Sequence, residues 1–298
     1  MKKNDQLLRF VFERTAVRGQ LVSLDASWRE CLKNSDAGEQ ANRLLGQALA
    51  AVTLLASTLK IKGKLILQIR GQGALHLLVA EATHDRCVRG MVRQNRDIED
   101  PQASLQHIFG ADKIVITIDN GNAQPYQGIA PLTGHSLAEA LAHYFEQSDQ
   151  LPTRLWLASD DISAAGLLLQ KLPHDAGDIE EEDDDDDSWT RVNHLADTVR
   201  ADELLKLDAS EVLHRLFHEE TLRLFEREPL RFQCSCSRQR IADMIKSLGR
   251  DEAQDILREQ GDITVHCEFC NARYDFDAVD VEQVFAAANP FPAHNTEQ

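Results

Sequence analysis

Four of this chain's six cysteines stand in two close pairs near its carboxyl end, Cys234 and Cys236 in "QCSCSRQR" and Cys267 and Cys270 in "VHCEFCNARYDF", with 30 residues between the pairs. No other feature limits the fold so tightly, because two thiol pairs joined by an ordered spacer suit one tetrahedral metal site. The spacer reads as ordered. Ser237 can cap a helix ending near Gly249, and Asp251 with Gln254 begins a second that stops at Gly261. "DITVH" and "RYDFD" alternate as hairpin strands should, and Asn271 tolerates the left-handed backbone that a Cys-x-x-Cys turn often needs. The expected site is one zinc ion per chain on Cys234, Cys236, Cys267 and Cys270. His266 beside the knuckle reads as an ordinary strand histidine, and the solitary Cys31 and Cys87 as buried, inert thiols. A C-x-C pair and a long spacer are unusual for a plain zinc ribbon, which points to a site with a second task.

That reading requires a reducing compartment. The amino terminus, "MKKNDQLLRFVFERTAVRG", has charges where a signal peptide needs an apolar run, and "ALAAVTLLA" is far shorter than the roughly 20 residues that span a bilayer. A soluble, cytoplasmic protein without a membrane partner is expected. The formal charge of −17 argues against nucleic acid, and from Arg231 onward seven Lys and Arg face twelve Asp and Glu.

At 298 residues and 43% hydrophobic the chain is long enough for about two domains. Up to about residue 175 the pattern is mixed. "SDAGEQANRLLGQALAAVTLLASTLK" reads as a helix with Asp36 and Glu39 in capping-box spacing, and "SLAEALAHYFEQ" as another with Ser136 and Glu139. "KLILQIR" and "ALHLLVA" form a hairpin about Gly71-Gln72-Gly73, "KIVITID" runs into the turn Asn120-Gly121, and "TRLWLAS" is a further strand. Hairpins rather than repeated crossovers predict an α+β fold with mostly antiparallel pairing. Eight consecutive acids, Glu180 to Asp187, then mark a solvated boundary. Beyond it, Trp189 to about Glu228 is helical by pattern, with Asp208 and Glu211 as a capping box. Helices of that length are marginal alone and must dock on a flanking domain. The expected organisation is a sheet-and-helix domain over residues 1–178, an acidic run plus helical linker over 179–230, and a small four-cysteine domain over 231–298.

Four thiolates in one site also form an oxidation target, since each sulfur has a neighbour able to condense with a sulfenic acid. A metal-dependent tail of 68 residues has little core to survive the loss. If the preceding helices dock partly on that tail, its unfolding uncovers apolar surface in a strongly charged protein, the combination a holdase needs.

These residues resemble the 33 kDa chaperonin family of redox-regulated heat-shock chaperones. "AVRGQLVSL", "PYQGIAPL", "EQSDQLPTRLWL", "VLHRLFHEE", "CSCSRQR" and "HCEFCNARYDF" carry the resemblance over nearly the whole chain. It implies an amino-terminal core and dimerisation domain, a metastable linker and a zinc switch domain. It further implies zinc on the four cysteines when reduced, Cys234–Cys236 and Cys267–Cys270 disulfides when oxidised, and ATP-independent binding of unfolding client proteins by a homodimer. Asn271 stands where the family commonly has glycine, and the aspartate run is long for its linker.

Two other classes compete. A thiol-disulfide oxidoreductase would place Cys-x-x-Cys at a helix amino terminus, whereas here the pair lies between strand-like segments. A structural zinc-ribbon binding module fits poorly with the acidity around the cysteines. The chain shows no phosphate-binding glycine loop, H-E-x-x-H or G-x-S-x-G, so no enzyme activity is expected.

Overall fold

The computed structural model describes residues 5–33, 35–100, 102–121, 124–147, 151–173 and 185–286. The chain divides into two compact units, Met1–Gln233 and Cys234–Gln298. In the first, β1 (Gln6–Phe12), β2 (Val17–Leu24), α1 (Ala26–Leu32), α2 (Glu39–Thr58), β3 (Lys64–Arg70), β4 (Leu75–Thr83) and β5 (Cys87–Gln94) follow in order. Next come α3 (Leu105–Phe109), β6 (Lys113–Asp119), β7 (Tyr126–Pro131), α4 (Leu137–Gln147), β8 (Thr153–Ser159) and β9 (Ala164–Lys171). The predicted strands and the hairpin between β3 and β4 are present, and the fold is α+β as expected.

Two sheets enclose α2. One runs β8, β9, β2, β1; the other runs β5, β4, β3, β6, β7. Leu45, Leu49, Val52 and Leu54 of α2 are fully buried, and Ala48, Ala50 and Ala51 fill the remaining sides. A helix apolar all round has to be enclosed, which is why "ALAAVTLLA" lies in the centre. Gly46 permits the approach of β8, since a Cβ there would meet Ser159 Oγ at 2.1 Å. The helix begins one step from the expected cap: Gly38 is the N-cap, and Asp36 makes no capping box with Glu39. The Gly38 N–H is instead taken up by Gln94 Oε1 at 2.8 Å, so a tertiary bond replaces the local one.

The first sheet is buried on both faces. Leu7, Val22 and Leu168 face α2, while Leu8, Phe10, Phe12, Leu21, Leu167 and Leu169 face outward into a second cluster. The covering layer is the helical segment after the acidic run: α5 (Asp185–Ala196), α6 (Ala201–Lys206) and α7 (Ala209–Phe217). Val192, Leu204, Val212, Leu213, Leu216 and Phe217 supply its apolar face. Phe217 meets Phe12 edge-on at 5.1 Å and Phe10 at 6.2 Å, and Phe10 itself lies across Gly19, where a Cβ would strike its ring. Of the flanking domains on which these helices were expected to dock, the first unit takes their apolar face, because the outer face of β1, β2 and β9 is itself apolar. The last three aspartates of the acidic run, Asp185 to Asp187, open α5 rather than remaining loop, in keeping with the helix dipole's preference for acids at its start. Residues 180–184 lie outside the described residues.

After α7 the chain returns along sheet edges. β10 (Leu222–Leu224) and β11 (Glu228–Pro229) pair with β1, and β12 (Arg231–Phe232) pairs in parallel with β5. Glu228 is held by Arg9 at 2.6 Å and by Arg86, and Arg227 forks onto Asp208 at 2.7 and 2.9 Å. Asp208 caps α7 through the Ser210 N–H, although Glu211 does not complete a box.

Its hydrogen bonds from Arg227 hold the Asp208 carboxyl down at about 2 against an ordinary 3.8. A depressed carboxylate stabilises fully above its ordinary value and is lost as pH falls through 4 towards 2. Pepsin cleavage within α7 should therefore accelerate over that window. Asp208→Asn, which keeps the cap, should show a smaller acceleration, and Asp208→Ala should loosen α7 by about 0.5–2 kcal/mol even at neutral pH. An acceleration in Asp208→Asn equal to that of the native chain would remove Asp208 from the acid response.

Candidate metal centre

The second unit is small. α8 (Arg238–Leu248), α9 (Arg250–Gln260), β13 (Ile263–His266), β14 (Arg273–Phe276) and α10 (Ala278–Ala286) surround a core of Ala242, Ile245, Ala253, Ile263, Phe276 and Val281. Ser237 caps α8 by accepting the Arg240 N–H at 3.3 Å, and α8 ends at Gly249, both as read from the sequence. α9 starts at Arg250 with Gly249 as its cap, so Asp251 lies in the first turn rather than at the cap, and Gly261 ends the helix.

Each cysteine pair is shaped by its backbone. Cys234 and Cys236 precede α8 in a segment outside any helix or strand, and Arg240 Nη1 donates to the Ser235 carbonyl between them at 2.7 Å. Cys267 and Cys270 occupy the turn from β13 to β14, closed by Asn271 N–H to the Cys267 carbonyl at 2.7 Å and Cys267 N–H to the Ala272 carbonyl at 2.9 Å. Asn271 has φ of 53°, the left-handed conformation its residue type foretold. β13 and β14 pair Ile263 with Phe276 through His266 with Arg273, which fixes the register of the turn.

The four sulfurs converge, all within 4.8 Å of one another. Cys234 Sγ lies 3.6 Å from Cys267 Sγ, and Cys236 Sγ 3.3 Å from Cys270 Sγ. Four sulfurs at the usual Zn–S length of about 2.3 Å would stand about 3.8 Å apart at the corners of a tetrahedron, so the donor set fits a tetrahedral thiophilic cation. Burial, with the neighbouring sulfurs adding to it, pushes the Cys270 thiol far up, as expected of clustered thiols that require a cation before all can ionise. The Tyr274 hydroxyl donates to Cys236 Sγ at 3.1 Å, and that bond raises the phenol to about 12. Tyr274 is a supporting residue that reading the pattern missed; its signal was the alternation of "RYDF", which puts Tyr274 and Phe276 on one face of β14.

His266 is exposed and is not among the clustered ligands. Cys31 and Cys87 are buried, at 3% and 5% exposure, and burial raises the Cys87 thiol, which fits an inert role. The Cys267 and Cys270 pair sits in a hairpin turn rather than at a helix amino terminus, unlike an oxidoreductase site. No helix among the described residues is long and apolar enough to cross a membrane.

Comparison with known proteins converges on one family. A family model described as Hsp33 protein matches residues 5–277. A relative from Nitrosococcus oceani named 33 kDa chaperonin is 48% identical over 296 residues, 99% of each chain, and one of the same name from Pseudomonas paraeruginosa is 47% identical over 289 residues, 97% of each. The crystal structure of the 33 kDa chaperonin (heat shock protein 33 homolog) from Thermotoga maritima superposes with a TM-score of 0.78, covering 96% of this chain and all of the other, at 22% identity.

Proposed function

The chain belongs to the Hsp33 family, and from that premise we propose that it is a redox-regulated, ATP-independent holdase of the cytoplasm, not an enzyme, inactive while Cys234, Cys236, Cys267 and Cys270 hold one zinc ion. The observation that carries the reading is the gathering of four sulfurs within 4.8 Å in a unit whose fully buried apolar core, among the described residues, is small. Bound zinc would keep the sulfurs as thiolates and tie the two halves of that unit together, and its departure accompanies oxidation.

The chemistry at the cysteines is stepwise. Attack of one thiolate on hydrogen peroxide gives a sulfenic acid and hydroxide; attack of its partner expels a second hydroxide and forms the disulfide. Each disulfide thus consumes one peroxide. The proposed products are Cys234–Cys236 and Cys267–Cys270, pairs near in sequence, although Cys234 also contacts Cys267 and Cys236 contacts Cys270 across the pairs.

Unfolding of the second unit then acts through the chain. β12 ends at Phe232, two residues before Cys234, and β10 to β12 are short edge strands with few hydrogen bonds. Fraying from that end frees Glu228 and Arg227, and α7 loses the partner of its cap. Release of α5 to α7 would bare the outward face of β1, β2 and β9, a surface for unfolding client proteins and for a second copy of the oxidised chain. The net charge of −17 keeps the loaded complex in solution and disfavours nucleic acid.

The test is light scattering from a thermally unfolding protein with this chain added either reduced and zinc-loaded or peroxide-treated at mild heat, with zinc release followed in parallel. Suppression by the oxidised form alone, and peptide maps containing the two local disulfides, are the expected results. Equal suppression by both forms would leave a structural zinc domain. Maps dominated by Cys234–Cys267 and Cys236–Cys270 would replace the proposed pairing.

A further inference from the structure

A cavity of about 360 Å³ opens in the first unit at the carboxyl end of α2, away from the face covered by α5 to α7. Its walls are apolar and aromatic: Leu55, Ile116, Ile118, Tyr144 and Phe145, with the exposed Tyr126 also lining it. Thr58 and Gln170 add polar atoms at one side, and the one charged residue lining it among the described residues is Arg18 of β2, whose guanidinium is half-buried.

Arg18 is positioned rather than neutralised. Its Nε donates to Gln170 Oε1 at 2.9 Å, its Nη2 to the same oxygen, and Nη2 also approaches the Thr58 carbonyl at 3.5 Å. Gln170 is buried, and its amide nitrogen bonds Thr153 Oγ1 at 2.7 Å, which turns its oxygen towards Arg18. All of these acceptors are neutral. Among the described residues no carboxylate pairs with Arg18, and its Nη1 donors have no acceptor. The carbonyl end of α2 offsets part of the charge, yet burial still pushes the guanidinium's pKa down. A half-buried guanidinium whose partners among the described residues are all neutral gains from an anion that enters the cavity beside it.

We propose that this cavity binds a small monocarboxylate with an apolar body, its carboxylate on Arg18 and its hydrocarbon against Ile116, Ile118, Tyr144 and Phe145. Guanidinium matches carboxylate in shape as well as charge, and the volume falls in the range of roughly 300–1,000 Å³ that small-molecule sites occupy. A peptide terminus fits less well. Every peptide unit brings an N–H and a C=O that need partners, and the walls are mostly hydrocarbon.

The experiment is calorimetric titration of the reduced, zinc-loaded full chain with octanoate, with the neutral octanamide, and with a short peptide ending in a free leucine carboxylate. Saturable binding of one octanoate per chain is expected, with octanamide weaker by about tenfold or more, the size of a lost charge-assisted pair. Arg18→Gln should bind octanoate no better than octanamide, and Ile116→Phe, which fills the cavity while keeping Arg18, should bind neither. Should Arg18→Gln fail to fold, the octanoate and octanamide comparison on the native chain decides. Equal affinity for the two, or no saturable binding, would overturn the proposal. Tighter binding of the peptide, with displacement of octanoate, would overturn it in favour of chain termini.

Discussion

Phe217→Ala should suppress client aggregation without any oxidant while still holding its zinc. Phe217 is 2% exposed at the end of α7, wedged against Phe10 and Phe12 of β1. Deleting a buried phenylalanine side chain costs about 3–5 kcal/mol. Whole domains are stable by only about 5–15 kcal/mol, and a three-helix layer that is one part of a unit holds less than that. The loss should therefore leave α5 to α7 largely undocked. Because Phe217 packs in the first unit, the four cysteines should stay reduced and metal-bound, which a thiol-reactive chromophore can verify. Arg215→Ala, on the exposed face of the same helix, is the control and should remain inactive. If Phe217→Ala stays inactive until oxidised although hydrogen exchange shows α7 released, the covered face is not the client surface. Val212→Ala makes the same test more gently if the larger deletion aggregates.

Chelating zinc, or changing Cys267 to Ser, should unfold the second unit while the first remains folded. Apparent binding energies of structural zinc run to about 10–16 kcal/mol. Among the described residues, the apolar core that would have to stand in their place is Ala242, Ile245, Ala253, Ile263, Phe276 and Val281 with partly buried neighbours such as Leu257 and Phe285. Domains this small rarely reach more than about 3–5 kcal/mol from burial alone. Amide protection in α8, α9 and β13 should collapse, whereas β2 and β9, buried on both faces, should keep theirs. Retained protection in the metal-free chain would mean that the unit folds on its own core, and oxidation would then need another route to the helices.

How much of this was legible beforehand depended on how local each feature is. Ser237, Gly249 and Gly261 mark helix ends through bonds within a few residues, and Asn271 foretells a left-handed turn by its own conformational range. Asp36 failed as a cap because Gln94, 56 residues from Gly38, reached the helix start first. "AAGLLLQ" carried a signal that went unread: a strand apolar at consecutive positions needs cover on both faces, and α5 to α7 provide the second. The pairing of β10, β11 and β12 with strands near residues 10 and 88 left no trace in strands of two or three residues.

By itself the sequence determined which side chains gather, the four cysteines whose sulfurs lie within 4.8 Å. Two cysteine pairs, a capped spacer and a hairpin turn bring the thiols together with few alternatives, since residue type and backbone reach are local properties. Where the helical segment docks was decided only in three dimensions. Its amphipathic faces would suit any apolar surface, and the choice fell to the outward face of β1, β2 and β9, where Phe10 lies over Gly19 and leaves an aromatic bed for Phe217. The same holds for Arg18. Nothing beside it in the chain distinguishes it from other strand arginines; the closing of two sheets around α2 is what lines its cavity with hydrocarbon and leaves it only neutral partners among the described residues.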